Sequence, residues 1–199
     1  GYVEHRPFSR IAFTVTAGVI VVTVLPPVMH IILSSAARNV AVERFKFPFW
    51  GYAGICAALL SWLIAWTRLP LMQDIQRLTF LPLWISYIVV INALCIRRSG
   101  RSLLTHRTPY LLMLFPVSAG FWWIFEYLNR FTANWYYMGT GELSPLRYFL
   151  EATLAFSTVL PAVMSTGELI KTYPRLYSGM ESYYKLQVKS PRAAAVFIL

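Results

Sequence analysis

The chain has 199 residues, of which 57% are hydrophobic and only 13% are charged. Soluble domains usually carry about a quarter charged residues, so this composition argues against a soluble domain and indicates a membrane protein. The formal net charge is +10, but the basic residues stand in short loops between apolar stretches, not in a basic domain interleaved with aromatic residues. We therefore expect no nucleic-acid partner, and we attribute the charge to membrane topology and to attraction to anionic lipid.

Five apolar runs are each close to the ~20 residues that a helix needs to cross the hydrocarbon core of a bilayer. Because lipid cannot hydrogen-bond a bare backbone, each run is predicted to be a helix. In chain order the predicted spans are 11–33, 48–66, 78–96, 110–128 and 148–165. A further apolar stretch from residue 193 predicts the truncated start of another span, so we expect the sequence to be a fragment. The predicted fold is an all-α polytopic transmembrane bundle that forms a single integral membrane domain.

Lys and Arg residues are unevenly shared between the two ends of the predicted spans. The segments after the first, third and fifth spans hold twelve of them, and the other side holds six. By the positive-inside rule the richer side faces the cytoplasm, and the segment between the fourth and fifth spans faces outside. We expect a multi-pass protein of the cell membrane, and specifically of the bacterial inner membrane.

Two acids stand about one turn inside the outer ends of the fourth and fifth spans. Glu126 and Glu151 are predicted to face each other across neighbouring antiparallel helices, as the catalytic carboxylates of an outer-leaflet pocket. A carboxylate beside apolar walls can act as a general acid, and aromatic rings can stabilise a cation. The predicted pocket residues, which lie at a similar depth, are Trp122, Trp123, Asn129, Asn134, Trp135 and Tyr137.

A second interpretation gives these acids no chemical role. Arg130 follows Glu126 by four residues, and Glu151 follows Arg147 by four. Each acid can therefore be neutralised on its own helix. The tryptophans and tyrosines then form an ordinary interfacial belt.

The densest basic cluster follows the third span and comprises Arg97, Arg98, Arg101 and Arg107. It is a topology signal in one interpretation and a binding site for lipid head groups in another. The three histidines are scattered and show no metal-ligand spacing, and no nucleotide-binding motif occurs. We therefore predict neither a metal nor another cofactor.

Four segments resemble a family of uncharacterised bacterial multi-pass membrane proteins: PLWISYIVVINAL at 82–94, SLLT at 102–105, FWWIFEYLN at 121–129 and NWYY at 134–137. The order of Trp123 with Glu126, Trp135 with Tyr137, and Pro145-Leu146 before Glu151 is similar to the lycopene-cyclase-type membrane domain of carotenoid synthesis. Where that domain has paired acids, Arg147 and Tyr148 stand here.

Two functions follow from these patterns. The first is a multi-pass membrane protein of unassigned activity that binds or modifies an apolar lipid or isoprenoid in the outer-leaflet pocket. The second is a non-catalytic structural or assembly subunit of a membrane complex. The partners that we expect are membrane lipid in the first case and other membrane-protein subunits in the second.

Overall fold

A computed structural model of the chain describes residues 8–36, 44–67, 72–76, 78–137 and 143–183. Within these ranges the regular structure is helical and no strand occurs, which confirms the predicted all-α class. The helices are α1 (Arg10–Ala36), α2 (Phe49–Trp66), α3 (Gln73–Gln76), α4 (Phe80–Ser99), α5 (Leu103–His106), α6 (Thr108–Thr132), α7 (Pro145–Ser157), α8 (Val159–Lys171) and α9 (Pro174–Glu181).

Five stretches of the described chain are long and apolar enough to cross a membrane: Arg10–Ser34, Phe49–Trp66, Phe80–Ser99, Thr108–Thr132 and Pro145–Lys171. The last of these joins α7 and α8. Many large apolar side chains on these helices are exposed, which suits helices that face lipid. The predicted start of another span at residue 193 lies outside the described residues.

The chain forms two compact units. The larger contains α2 to α8, and the smaller contains α1 and α9. In the smaller unit, His30 of α1 lies with its Nε2 3.0 Å from the hydroxyl of Ser182, directly after α9. The ring of Tyr183 packs on the same imidazole, with 5.3 Å between the ring centroids.

In the larger unit, α2 packs closely on α4 through two glycines. Gly51 and Gly54 are three residues apart, so they lie on one face of α2. A Cβ atom at Gly51 would lie 2.6 Å from the Cβ of Ala93, and one at Gly54 would lie 2.8 Å from a methyl group of Val89. Glycine at both positions is therefore what lets the two helix backbones approach.

A buried asparagine joins α4, α5 and α8. The side-chain amide of Asn92 donates to the carbonyl of Ile88 at 2.8 Å and to the hydroxyl of Ser165 at 3.0 Å. Its oxygen accepts the backbone N–H of Leu104 at 2.9 Å. Asn92 thus fixes the short α5 turn against the two longer helices.

The fifth candidate span is interrupted between α7 and α8, at Thr158. Pro161 has no N–H for the carbonyl of Ser157, and its ring disfavours a continuous helix there. Ser118 of α6 enters the break: its hydroxyl donates to the carbonyl of Phe156 at 2.6 Å and accepts the N–H of Leu160 at 3.0 Å. A side chain from a neighbouring helix therefore replaces one backbone hydrogen bond.

Candidate functional site

Asn129 forms the turn that places aromatic residues over the last turns of α6. Its amide donates to the carbonyl of Trp135 at 2.8 Å, and its oxygen accepts the N–H groups of Asn134 and Trp135 at 2.9 and 3.2 Å. Ala133, with φ at +49°, reverses the chain at the helix end. Asn129 is buried, whereas the side chain of Asn134 is exposed and its contact with Asn129 is through the backbone.

Glu126 accepts hydrogen bonds from three neutral groups. The indole N–H of Trp135 and the hydroxyl of Tyr137 donate to its Oε2 at 3.3 and 3.1 Å. The hydroxyl of Tyr148, on α7, donates to its Oε1 at 3.5 Å. Among the ion pairs of the described residues, none joins Glu126 to Arg130. The carboxylate is thus held by the returning chain and by the next helix.

Glu151 has a different environment. Its Oε1 lies 2.7 Å from the Nε of Arg147, four residues earlier on the same helix. In the part of the chain that the structure describes, no hydrogen bond joins Glu151 to Glu126. Glu126 instead contacts Tyr148 of α7, which lies about one helical turn before Glu151 on the same helix.

Trp122 and Trp123 attach α6 to α7. The indole N–H of Trp123 donates to the hydroxyl of Thr153 at 3.0 Å, and its ring stacks on Phe149 with a centroid distance of 5.2 Å. Both indoles also contact Phe156, at centroid distances of 6.1 Å for Trp122 and 5.3 Å for Trp123. These contacts form an aromatic layer one turn from Glu126, towards the middle of α6.

The position of Tyr137 affects its acidity. Burial and then the negative charge of Glu126 raise the pKa of Tyr137 from 10.0 to about 12. Both causes disfavour a phenolate beside a carboxylate. Tyr137 therefore remains a neutral hydrogen-bond donor to Glu126 throughout the physiological pH range.

We refer to Glu126 with Trp122, Trp123, Trp135, Tyr137 and Tyr148 as the Glu126 cluster. It combines a partly buried carboxylate, neutral donors and aromatic faces. Among the described residues, no group of three or more His, Cys, Asp or Glu side chains is arranged to hold a metal ion. The cluster can therefore offer a carboxylate next to an apolar aromatic surface.

The four arginines of the predicted head-group site are not equivalent. Arg98 donates from Nε and a terminal guanidinium nitrogen to the hydroxyl and carbonyl of Thr172, at 2.9 and 3.1 Å, and lies 3.5 Å above the ring of Tyr173. Its side chain ties the end of α4 to the end of α8. Arg97 is exposed, and only Arg101 and Arg107 border a cleft.

Comparison of the chain with protein-family models, with curated protein sequences and with solved structures gives no match. These comparisons do not bear on the resemblance to the lycopene-cyclase-type domain, which stays a prediction.

Three contacts of the Glu126 cluster were not among the sequence predictions: Tyr148 on Glu126, Thr153 on Trp123, and the packing of Phe149 and Phe156. They all come from α7. A partial signal exists in the sequence, because Phe149, Thr153 and Phe156 recur at intervals of four and three residues and so can share a helix face. The pattern does not say which helix that face meets.

Proposed function

We propose that this chain is a multi-pass membrane protein that binds an apolar lipid or isoprenoid against the Glu126 cluster. The single observation that carries the proposal is that the three hydrogen-bond partners of Glu126 are neutral groups. A carboxylate neutralised by its own arginine would have little charge left for a ligand. Among the described residues Glu126 makes no ion pair with an arginine, and the side chains that donate to it are aromatic.

The surroundings support an apolar ligand. Phe121, Ile124 and Tyr127 are exposed on α6 within a turn or two of Glu126, and Phe149 is exposed on α7. In a bilayer such a surface faces acyl or prenyl chains, and a single charged group within it is costly unless it has a partner. The ligand that fits is a long apolar molecule with one hydroxyl or one cationic centre for Glu126.

If the ligand is also modified, the Glu126 carboxylate would first take up a proton from water and then transfer it to the ligand as the general acid, with Glu151 as its partner. The faces of Trp123 and Trp135 would stabilise positive charge by cation–π attraction. Glu151 would not itself transfer a proton to the ligand, since its carboxylate is already bound by Arg147.

A photoreactive prenyl alcohol tests the binding proposal. The chain, reconstituted in lipid nanodiscs, is irradiated with this probe and digested, and the labelled peptides are identified by mass spectrometry. Labelling is expected within 121–137 and 145–156. Glu126→Gln should weaken competition by unlabelled prenyl alcohol by about tenfold, since it removes a charge-assisted hydrogen bond. The matched control is Glu181→Gln, at the exposed end of α9.

The alternative function is a structural or assembly subunit of a membrane complex. It is favoured by the fact that Glu126 and Glu151 both have protein partners, which is all that a structural role requires. It predicts labelling spread evenly over the exposed helices, no effect of Glu126→Gln, and a stoichiometric partner after mild detergent extraction. That combination of results would reject the lipid-binding proposal.

A further inference from the structure

A cleft of about 610 Å³ lies at the opposite end of α6 from the Glu126 cluster. It is bordered by the last turns of α4 and α8 and by the α5 turn. The polar side chains on its walls include those of Ser99, Arg101, Ser102, His106, Arg107 and Lys171. Ser99, Thr108 and Lys171 are also the ends of three candidate membrane spans. The cleft is therefore at the depth where lipid head groups meet water.

The walls of the cleft carry two arginines, one lysine, one histidine and one acid, Glu168. Lys171 lies 2.8 Å from the Oε1 of Glu168, so these two charges offset each other. Arg101 and Arg107 are both exposed, and neither takes part in an ion pair between described side chains. The remaining charge of the cleft is therefore positive and is supplied by two guanidinium groups.

The α5 turn fixes the backbone between the two cleft arginines. Ser102 caps α5 by accepting the N–H of Thr105 at 3.3 Å, and Leu103 is buried in the core. Asn92 accepts the next N–H, that of Leu104. Arg101 and Arg107 stand at the two ends of this fixed turn. The backbone positions of both arginines are thus set before any ligand binds, which lowers the entropic cost of binding.

The neighbouring arginines, Arg97 and Arg98, do not line the cleft. Arg98 is engaged with Thr172 and Tyr173. Arg97, although adjacent in sequence, is not on the wall of the cleft. The four arginines of this cluster therefore have different positions. Arg98 joins α4 to α8, Arg97 is exposed away from the cleft, and Arg101 and Arg107 line the cleft.

We propose that this cleft binds a phosphate group, presented either by a phospholipid head group or by a soluble phosphate. Guanidinium groups bind phosphate oxygens through paired hydrogen bonds, and serine hydroxyls add neutral donors. The volume of the cleft exceeds what one phosphate fills, so it has room for part of the group that carries the phosphate. This site is separate from the Glu126 cluster and does not depend on the function proposed there.

The test uses the chain in micelles of dodecyl maltoside, a detergent that contains no phosphate. In one arm phosphatidic acid is added and the bound lipid is counted by native mass spectrometry. In the other arm inorganic phosphate is titrated and binding is followed calorimetrically. Arg101→Gln and Arg107→Gln are each expected to weaken binding by about tenfold, whereas the control Arg97→Gln, which removes the same charge outside the cleft, changes it by less than about twofold.

The two arms distinguish the sources of phosphate. Saturable, cleft-dependent binding of phosphatidic acid that inorganic phosphate does not displace assigns the site to lipid, and displacement assigns it to phosphate in general. Arg101→Lys, which retains the charge but not the paired guanidinium hydrogen bonds, should bind phosphate more tightly than Arg101→Gln and less tightly than the native chain. Circular dichroism of both variants checks that they fold. The absence of saturable binding in both arms, or equal weakening by Arg97→Gln, would overturn the proposal.

Discussion

Asn92 and Asn129 are buried asparagines whose amide groups hold other parts of the backbone in place. Asn92 fixes the N–H of Leu104, and Asn129 fixes those of Asn134 and Trp135. In an interior without water a backbone N–H that loses its partner has no substitute. These two side chains therefore determine the geometry of the α5 turn at one end of α6 and of the returning chain at the other.

Replacement of Asn92 by alanine should lower the free energy of unfolding by about 1–3 kcal/mol, because the N–H of Leu104 is left without an acceptor. The matched control is Asn134→Ala, since the exposed side chain of Asn134 has no part in the hydrogen bond to Asn129. That control should change stability by less than about 0.5 kcal/mol. Unfolding in mixed micelles, followed by circular dichroism, measures both. Equal losses would contradict the role given to Asn92.

Ionisation of Tyr137 at alkaline pH removes one hydrogen-bond donor from Glu126. Its pKa is raised in the folded state, to about 12 from 10.0. Its contribution to stability is therefore complete below pH 10 and is lost as the pH rises through about 12, because the unfolded chain ionises first. Tyr137→Phe should be less stable than the native chain at neutral pH, and the gap should close across this range.

Difference spectroscopy between native protein and Tyr137→Phe provides the direct measurement. The phenolate absorbance missing from the variant should be the part that appears near pH 12 in the native protein, not near pH 10. A stability gap between the two proteins that stays constant up to the alkaline limit would show that Tyr137 does not titrate as a partner of Glu126.

The residues of the Glu126 cluster could be predicted only in part. The acid, the tryptophans and Tyr137 stand out in the sequence because charged and aromatic residues near the end of an apolar run are unusual. Whether Glu126 meets Arg130 or neutral donors depends on the path of the chain after Ala133. The i,i+4 spacing allowed the ion pair for both acids, and the structure has it for Glu151 alone.

At the scale of elements, the close contact of α2 with α4 depends on glycine. A methyl group at Gly51 would lie 2.6 Å from both Ala93 and the ring of Phe47, whereas one at Gly120, on α6, would have no neighbour within 4 Å. Gly51→Ala should therefore destabilise the protein by about 1–3 kcal/mol through overpacking. Gly120→Ala should leave stability unchanged or raise it by up to about 1 kcal/mol, since alanine favours helix. Thermal unfolding in one detergent compares Gly51→Ala with Gly120→Ala. If Gly51→Ala does not lower stability, α2 and α4 can move apart without loss of stability.

The helices themselves follow from hydropathy because the bilayer imposes a minimum apolar length on each of them. Hydropathy averages over a whole span, however, and so it hides the break at Thr158. That break depends on Pro161, which the sequence shows, and on the hydroxyl of Ser118, which lies about forty residues earlier. Contacts between helices depend on which faces meet, and no periodicity in a single helix contains that information.

At the scale of the whole molecule, α6 places its two ends in different chemical environments. Arg107 directly precedes α6 and borders the basic cleft, while Glu126 lies near the other end of the same helix. The separation of nineteen residues corresponds to about 28 Å at the helical rise of 1.5 Å per residue. This nearly equals the thickness of a hydrocarbon core, so each site would open to a different interface.

Cysteine labelling decides which interface each end faces. In a background with Cys56 and Cys95 replaced by alanine, single cysteines are placed at Ser99 and Tyr136, both exposed and at opposite ends of the larger unit. Since the basic side should be cytoplasmic, an impermeant maleimide should label Tyr136→Cys in intact cells and Ser99→Cys only after permeabilisation. The reverse pattern would invert the orientation and place the phosphate cleft outside. Labelling of both residues from one face would contradict a membrane-spanning α6 and, with it, the assignment of the two sites to opposite leaflets.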